Sequence, residues 1–337
     1  MSDEQNTQQN NEVIAEVEQK TSALPVVPQL LTAGLLLSLI FGATYISDAR
    51  TSLTRNTNTP QTSQPSTYDT EPETDPFDDI FIDAEAAFVW DIKEQRALYN
   101  KNADSQLPLA SIAKLMTALI AYELLGSNAH IDITASAIGQ EGDSSLLQGE
   151  SFDVRNLIDF TLITSSNDGA YALASAASAS IPHENKDVRT FVELMNIRAE
   201  EIGLSRTIFK NTTGLDTSEI ESGAYGSARD VSFLMEYILT AYPSLLEMTR
   251  EDHLYISNTF GLTHEAANTN SSVDTVPGIL ASKTGYTTLA GGNLVIAFDA
   301  GLNRPVIATV LGSSYSGRFS DVAQLIEATK SALAQTK

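Results

Sequence analysis

Pro108-Leu109-Ala110-Ser111-Ile112-Ala113-Lys114-Leu115-Met116-Thr117 opens a helical pattern that continues to Leu125, with Ile112, Leu115, Met116, Leu119 and Ile120 at helical spacing. Pro108 stands just before it, so Ser111 and Lys114 fall in the first helical turn, three residues apart and on one face. That spacing puts an amine within reach of a hydroxyl. A serine hydroxyl is a poor nucleophile until a base takes its proton, and a lysine serves once burial and neighbouring positive charge lower its pKa. The helix N-terminus adds partial positive charge and a free N–H for an oxyanion. Alone, Ser-x-x-Lys reads more readily as a capping serine followed by a solvated lysine.

Two further motifs follow in order. Ser165-Ser166-Asn167 lies in a short connection between helical patterns at Val154–Thr164 and Asp168–Ser178. There Ser165 would relay a proton between base and leaving group, and Asn167 would hold the amine or a substrate amide. The plainer reading is a Ser or Asx turn capping the next helix. Lys283-Thr284-Gly285, followed by Tyr286-Thr287, precedes strand-like segments and predicts a strand at a cleft edge. Lys283 would supply charge, Thr284 a hydroxyl for a carboxylate, Gly285 room for close approach, and the Tyr286 N–H a second oxyanion donor. By itself the tripeptide is an ordinary turn. Together, the three supply the inventory of a serine acyl-transfer enzyme.

Composition narrows the alternatives. A net charge of −23 and no visible basic patch exclude nucleic acid as a partner. The absence of cysteine removes disulfides, thiolate metal sites and Cys nucleophiles. His264-Glu265-Ala266-Ala267-Asn268 falls one ligand short of the zinc motif His-Glu-x-x-His. His130, His183, His253 and His264 are scattered, and no phosphate-binding glycine loop is present. Neither a metal nor a cofactor is expected.

Along the chain, residues 1–28 read as a disordered polar tail and 29–47 as a membrane anchor. Residues 48–76 form a Ser/Thr/Pro-rich linker, and 77–337 a globular catalytic domain. The apolar run within the anchor, Leu30 to Ile46, would span about 25 Å as a helix, near the short limit for a bilayer core. A cleaved signal peptide is the alternative, but a long acidic stretch precedes the run and the small residues near Ala43 and Ala49 make a poor cleavage site. Lys20 before the span and Arg50 and Arg55 after it leave orientation undecided by charge. In the globular part, Ala86–Asp91 and Ala97–Asn100 predict a hairpin. Asn293–Asp299 and Pro305–Leu311 predict strands, and Asp187–Ile202, Ala228–Leu239 and Ser320–Ala334 predict helices. Ser227 with Asp230 three residues on signals an N-cap. Strands at both ends with helices between predict an α+β fold, an antiparallel sheet formed by both chain ends and packed against a helical region.

The three motifs and the sequence around them, over about residues 80–335, resemble the low-molecular-weight penicillin-binding proteins, the serine-type D-alanyl-D-alanine carboxypeptidases. The stretch from Pro108 to Thr117 resembles that family's nucleophile helix. Met195-Asn196, Gly203-Leu204, Asn211, Gly214-Leu215 and Ser227-Ala228-Arg229-Asp230 resemble its central region. The resemblance implies a β-lactamase/penicillin-binding-protein-like fold, with Ser111 acylated, Lys114 its base, and Ser165 and Asn167 lining the cleft. Lys283 and Thr284 would bind the terminal carboxylate, with Arg318 beside it. The implied partners are peptidoglycan stem peptides, with β-lactams as covalent inhibitors and the membrane held through the N-terminal helix. The domain is then expected outside the cytoplasm on a single-pass anchor. Gly169 departs from the Ala that usually follows the Asn-Asp pair. The family's common C-terminal β-rich domain and amphipathic anchor are expected to be absent, the N-terminal span taking the anchor's place.

Three other readings remain. A D,D-endopeptidase of the same family would cut cross-links instead. A class A β-lactamase needs Glu-x-x-x-Asn, whereas Glu200 and Glu201 are followed four residues on by Leu204 and Ser205. A sensor that binds peptidoglycan or β-lactam without turnover would carry a degenerate site, and here every motif side chain is intact.

Overall fold

Strands from both ends of the globular region meet in one sheet. The computed structural model describes residues 75–335 except 127–128, 143–144 and 182–186. The expected tail (1–28), anchor (29–47) and nearly all of the linker (48–76) lie outside the described residues, as does His183. Among the described residues, no helix is long and apolar enough to cross a membrane.

The N-terminal hairpin is β1 (Ala86–Asp91) and β2 (Arg96–Lys101). Short strands follow at β3 (Leu107–Pro108), β4 (His130–Asp132), β5 (Ser151–Asp153), β6 (Ile208–Phe209) and β7 (Ala224–Gly226). A second hairpin, β8 (His253–Ser257) and β9 (Thr263–Ala267), precedes the C-terminal meander β10 (Ile279–Thr287), β11 (Gly291–Asp299) and β12 (Pro305–Ser313). The five-stranded sheet has the order β10-β11-β12-β1-β2, with every neighbour antiparallel. This is the α+β arrangement expected from the sequence.

Both faces of the sheet are covered. Phe88, Val295, Ala297, Ile307 and Leu311 point into the core shared with the helical region. The alternate residues Val89, Leu294, Ile296, Phe298, Val306 and Val310 point into a second core closed by α6 (Gly317–Gln335) through Val322, Leu325 and Ile326. Side chains alternate across a strand, so burial on both faces turns β11 and β12 into nearly unbroken apolar runs.

The helical region comprises α1 (Lys114–Leu125), α2 (Val154–Thr164), α3 (Asn167–Ser180), α4 (Val188–Ile202) and α5 (Ala228–Ala241). α1 is central, and every residue from Lys114 to Ala121 is buried, as befits a helix apolar on all sides. Side-chain caps mark the starts of α3, α4 and α5. Ser227 Oγ accepts from the Asp230 N–H at 3.1 Å, Ser166 Oγ from the Gly169 N–H at 2.9 Å, and Asp187 Oδ1 from the Arg189 N–H at 2.9 Å. The helix expected from Ser111 differs in its first turn. Ala110–Ala113 is a 3-10 turn and the α-helix begins at Lys114. Ala110 takes φ +49°, and its carbonyl packs so closely on Gly214 that a Cβ there would lie 1.9 Å from the oxygen.

Candidate active site

The 3-10 turn, the α2–α3 junction and the edge strand β10 converge on Lys114. This side chain is fully buried, and its Nζ lies 2.8 Å from Ser111 Oγ, 2.7 Å from Asn167 Oδ1 and 2.8 Å from the Thr213 carbonyl. Burial lowers its pKa to about 7. Two of its three partners can only accept, so a neutral amine donates to both and turns its lone pair to the Ser111 hydroxyl.

Ser165 ends α2 in the left-handed conformation, φ +60°, a sparsely populated state for a residue with a side chain. It aims Oγ at Lys283, whose Nζ donates to it at 2.9 Å and also to the Thr284 carbonyl at 2.9 Å. Lys283 is buried too. Desolvation holds its pKa well below the usual lysine range, and the nearby charges of Lys114 and Arg318 push the same way. Ser166 turns away to cap α3, while Asn167 Nδ2 donates to the Glu141 carbonyl at 2.6 Å. A cleft of about 420 Å³ opens beside this junction, lined by Ser165, Ser166 and Asn167 together with Gly142, Glu265 and Ala267.

β10 is the sheet's edge strand. Its Ser282 N–H donates outward to Thr249 Oγ1 at 3.1 Å, so by alternation the N–H groups of Thr284 and Tyr286 face the same open edge. Gly285 allows that edge to approach the nucleophile turn, since a Cβ there would lie 2.7 Å from the Leu109 carbonyl. Thr284 Oγ1 is 2.6 Å from Thr269 Oγ1. Arg318, in the first turn of α6, is buried and donates from Nη1 to the Gly285 carbonyl at 2.8 Å. Its Nε is buried with no hydrogen-bond partner, and burial lowers its pKa.

The structure therefore brings Ser111, Lys114, Ser165, Asn167, Lys283, Thr284, Gly285, Tyr286 and Arg318 into one neighbourhood. Lys114, Lys283 and Arg318 take part in no ion pair among the described residues, although the chain as a whole is strongly acidic. Buried cations without counter-ions are costly. Burial biases Lys114 and Lys283 toward the neutral amine, which leaves Arg318 as the standing charge; two amines beside it that can take up protons when an anion arrives describe a site suited to one.

Several supporting residues carried no signal of their own in the sequence. Thr213 offers only a carbonyl, Thr269 a hydroxyl partner, and Asp216 fastens the end of β10 through Thr287 Oγ1 at 2.9 Å. Asn293, fully buried on β11, donates to the Pro108 carbonyl and accepts from the Gly312 N–H, both at 2.9 Å. Among the histidines, His264 is buried with Nε2 2.7 Å from Glu150, and His130 and His253 are exposed. No group of three or more potential metal ligands occurs among the described residues.

A profile of the D-alanyl-D-alanine carboxypeptidase family of peptidases matches residues 71–315. The chain belongs to this family. It is 32% identical over 238 residues to D-alanyl-D-alanine carboxypeptidase DacF of Bacillus subtilis, covering 69% of this chain and 58% of that protein. It is also 28% identical over 249 residues to the D-alanyl-D-alanine endopeptidase of Escherichia coli, covering 71% and 75%. The chain thus spans less than two thirds of the length of DacF. Penicillin-binding protein D2 of Listeria monocytogenes, solved in an ampicillin-bound form, superposes with a TM-score of 0.63 at 26% identity, covering 74% of this chain and 98% of that one. A Streptomyces K15 DD-transpeptidase variant shares the fold, with a TM-score of 0.66 at 23% identity. The carboxypeptidase profile ends three residues before Arg318, so this arginine joins the site by structure, outside the matched stretch.

Proposed function

We propose that this chain is a serine D,D-carboxypeptidase that removes the terminal D-Ala from peptidoglycan stem peptides. The observation that carries the reading is the buried Lys114 amine against Ser111 Oγ, its pKa lowered to about 7. Ser111 Oγ attacks the carbonyl carbon between two D-Ala residues as its proton passes to Lys114. The N–H groups of Ser111 and Tyr286 hold the oxyanion. The C–N bond breaks, the leaving amine takes a proton relayed through Ser165, and terminal D-Ala departs. Water then hydrolyses the Ser111 ester. Asn167 holds the acyl-side amide, while Lys283, Thr284 and Arg318 hold the terminal carboxylate, which gives the buried Arg318 its counter-ion. β-Lactams, which also combine an amide and a carboxylate, acylate the same serine; the ampicillin-bound form of the Listeria relative supports that expectation. The apolar run within residues 29–47 anchors the domain to the membrane, with the catalytic part outside the cytoplasm.

The test is D-Ala release from a peptide ending in Lys-D-Ala-D-Ala, with Ser111→Ala as control. Release that depends on Ser111 is expected, and release by the variant would overturn the assignment. A second reading, endopeptidase action on cross-links, is favoured by the fuller coverage of the endopeptidase relative, 75% of its length against 58% of DacF. Cross-linked muropeptides cleaved faster than the linear peptide would establish it.

A further inference from the structure

Arg318 is held in an unusual way for a buried cation. Its guanidinium lies against two rings, 4.6 Å from the Tyr315 centroid and 4.8 Å from that of Phe319. Nη1 is committed to the Gly285 carbonyl, and Nε is buried and unpartnered. Tyr315 packs edge-on against Tyr286 at 4.9 Å with an interplanar angle of 87°. Tyr286 follows Gly285 directly, so the four residues close a ring at the edge of β10. Tyr315 is 60% exposed and Tyr286 51%, yet Arg318 beneath them is only 3% exposed. The loop carrying Tyr315 is itself pinned. The Gly317 N–H donates to Ser314 Oγ at 2.9 Å, and a Cβ on Gly292 would lie 2.1 Å from the Ser314 carbonyl.

An exposed tyrosine that covers a buried arginine adds little to a core. It does fix the plane of the guanidinium and keep water from one of its faces, which strengthens attraction for an anion. The N–H groups left free then point in a set direction, as fork-like recognition of a carboxylate needs. We propose that Tyr315 is a positioning residue for the substrate's C-terminal carboxylate, acting through Arg318 with Tyr286 as its brace. Tyr315 thereby sets the preference for substrates ending in a free carboxylate. This inference rests on the carboxypeptidase reading above.

The experiment uses the full chain and two peptides, Lys-D-Ala-D-Ala and its C-terminal carboxamide. In Tyr315→Ala, KM for the acid should rise about 5- to 30-fold with little change in kcat, the range a desolvated cation–π contact supplies. The amide should respond far less, so the acid-to-amide preference collapses. Tyr315→Phe, which keeps the ring and loses only the hydroxyl that also bonds the guanidinium, should restore most of KM. An unchanged KM for the acid, or an equal loss on both peptides, overturns the proposal. Binding of the two peptides to Ser111→Ala, with and without Tyr315→Ala, separates this idea from the catalytic one. Carboxylate-dependent binding that needs the Tyr315 ring, without turnover by the unmodified chain, leaves the inference standing and sinks the carboxypeptidase reading. Binding indifferent to Tyr315 does the reverse.

Discussion

At the scale of single residues, the proposed reaction turns on Lys114 as the base. An exposed lysine titrates near 10.4, and burial lowers this one to about 7. Only the neutral amine can take the Ser111 proton. The rate of acylation should therefore rise about tenfold per pH unit below pH 7 and level off above it, as measured by rapid-mixing with a chromogenic β-lactam. A rate that stays flat from pH 5 to 9 would move the base elsewhere. The same shift affects stability. Between about pH 7 and 10.4 the unfolded chain binds a proton at this position that the folded chain does not, so the folded state gains stability as pH rises through that window. Lys283 contributes in the same direction. In Lys114→Met the gain between pH 7 and 10 should shrink, by up to about 1.4 kcal/mol per pH unit, while β-lactam acylation disappears. Chemical denaturation at four pH values tests the first, and an unchanged slope contradicts it.

Among elements, the α2–α3 junction carries the tightest constraint. A Cβ on Gly169 would lie 2.2 Å from Thr161 Oγ1, a side chain buried in α2. The departure from the family's usual Ala at this position is thus paired with Thr161, and it lets α3 approach α2 closely enough for Ser165 and Asn167 to reach Lys283 and Lys114. Gly169→Ala should cost about 1–3 kcal/mol of stability, the usual range for overpacking, and should reduce acylation. Adding Thr161→Ala should recover most of both. If Gly169→Ala is as stable and active as the parent, the junction is looser than the packing implies. The sequence reveals α2 to the residue, because its apolar period is strong and Thr164-Ser165 breaks it. It also reveals α4 and α5, whose caps Asp187 and Ser227 are local signals. The hairpin of β8 and β9 leaves no comparable trace. Both strands alternate in burial, but Tyr255 faces out while His264 and the small Ala266 face in, so hydropathy does not mark the period. The first turn of α1 is hidden for another reason. Its 3-10 form depends on Gly214, about a hundred residues away, pressing on the Ala110 carbonyl. Ser-x-x-Lys, Ser-Ser-Asn and Lys-Thr-Gly name the reacting groups, whereas Thr213, Thr269 and the Tyr315 ring enter only when distant segments meet.

The whole molecule sets a long-range field against its own site. The chain carries a net charge of −23, yet the neighbourhood of Ser111 gathers the Arg318 guanidinium and two basic amines, Lys114 and Lys283, with no ion-pair partner among the described residues. A substrate ending in a carboxylate is repelled at a distance and attracted at contact. Salt separates the two effects, because ions screen exposed charges over a Debye length that falls from roughly 30 Å at 0.01 M to about 8 Å at 0.15 M, while buried groups are screened much less. Raising ionic strength across that range should therefore increase kcat/KM for the acid peptide with both lysine amines acetylated, whose only charge is its carboxylate, on the order of two- to fivefold, mainly through faster encounter. The carboxamide of that diacetylated peptide, which is uncharged, should change little. The opposite result, a fall in kcat/KM for the acid with added salt, would mean that the site's positive potential extends into solvent despite the acidic surface. The contact cations would then also steer the substrate, and the division between a repelling surface and an attracting interior would be wrong.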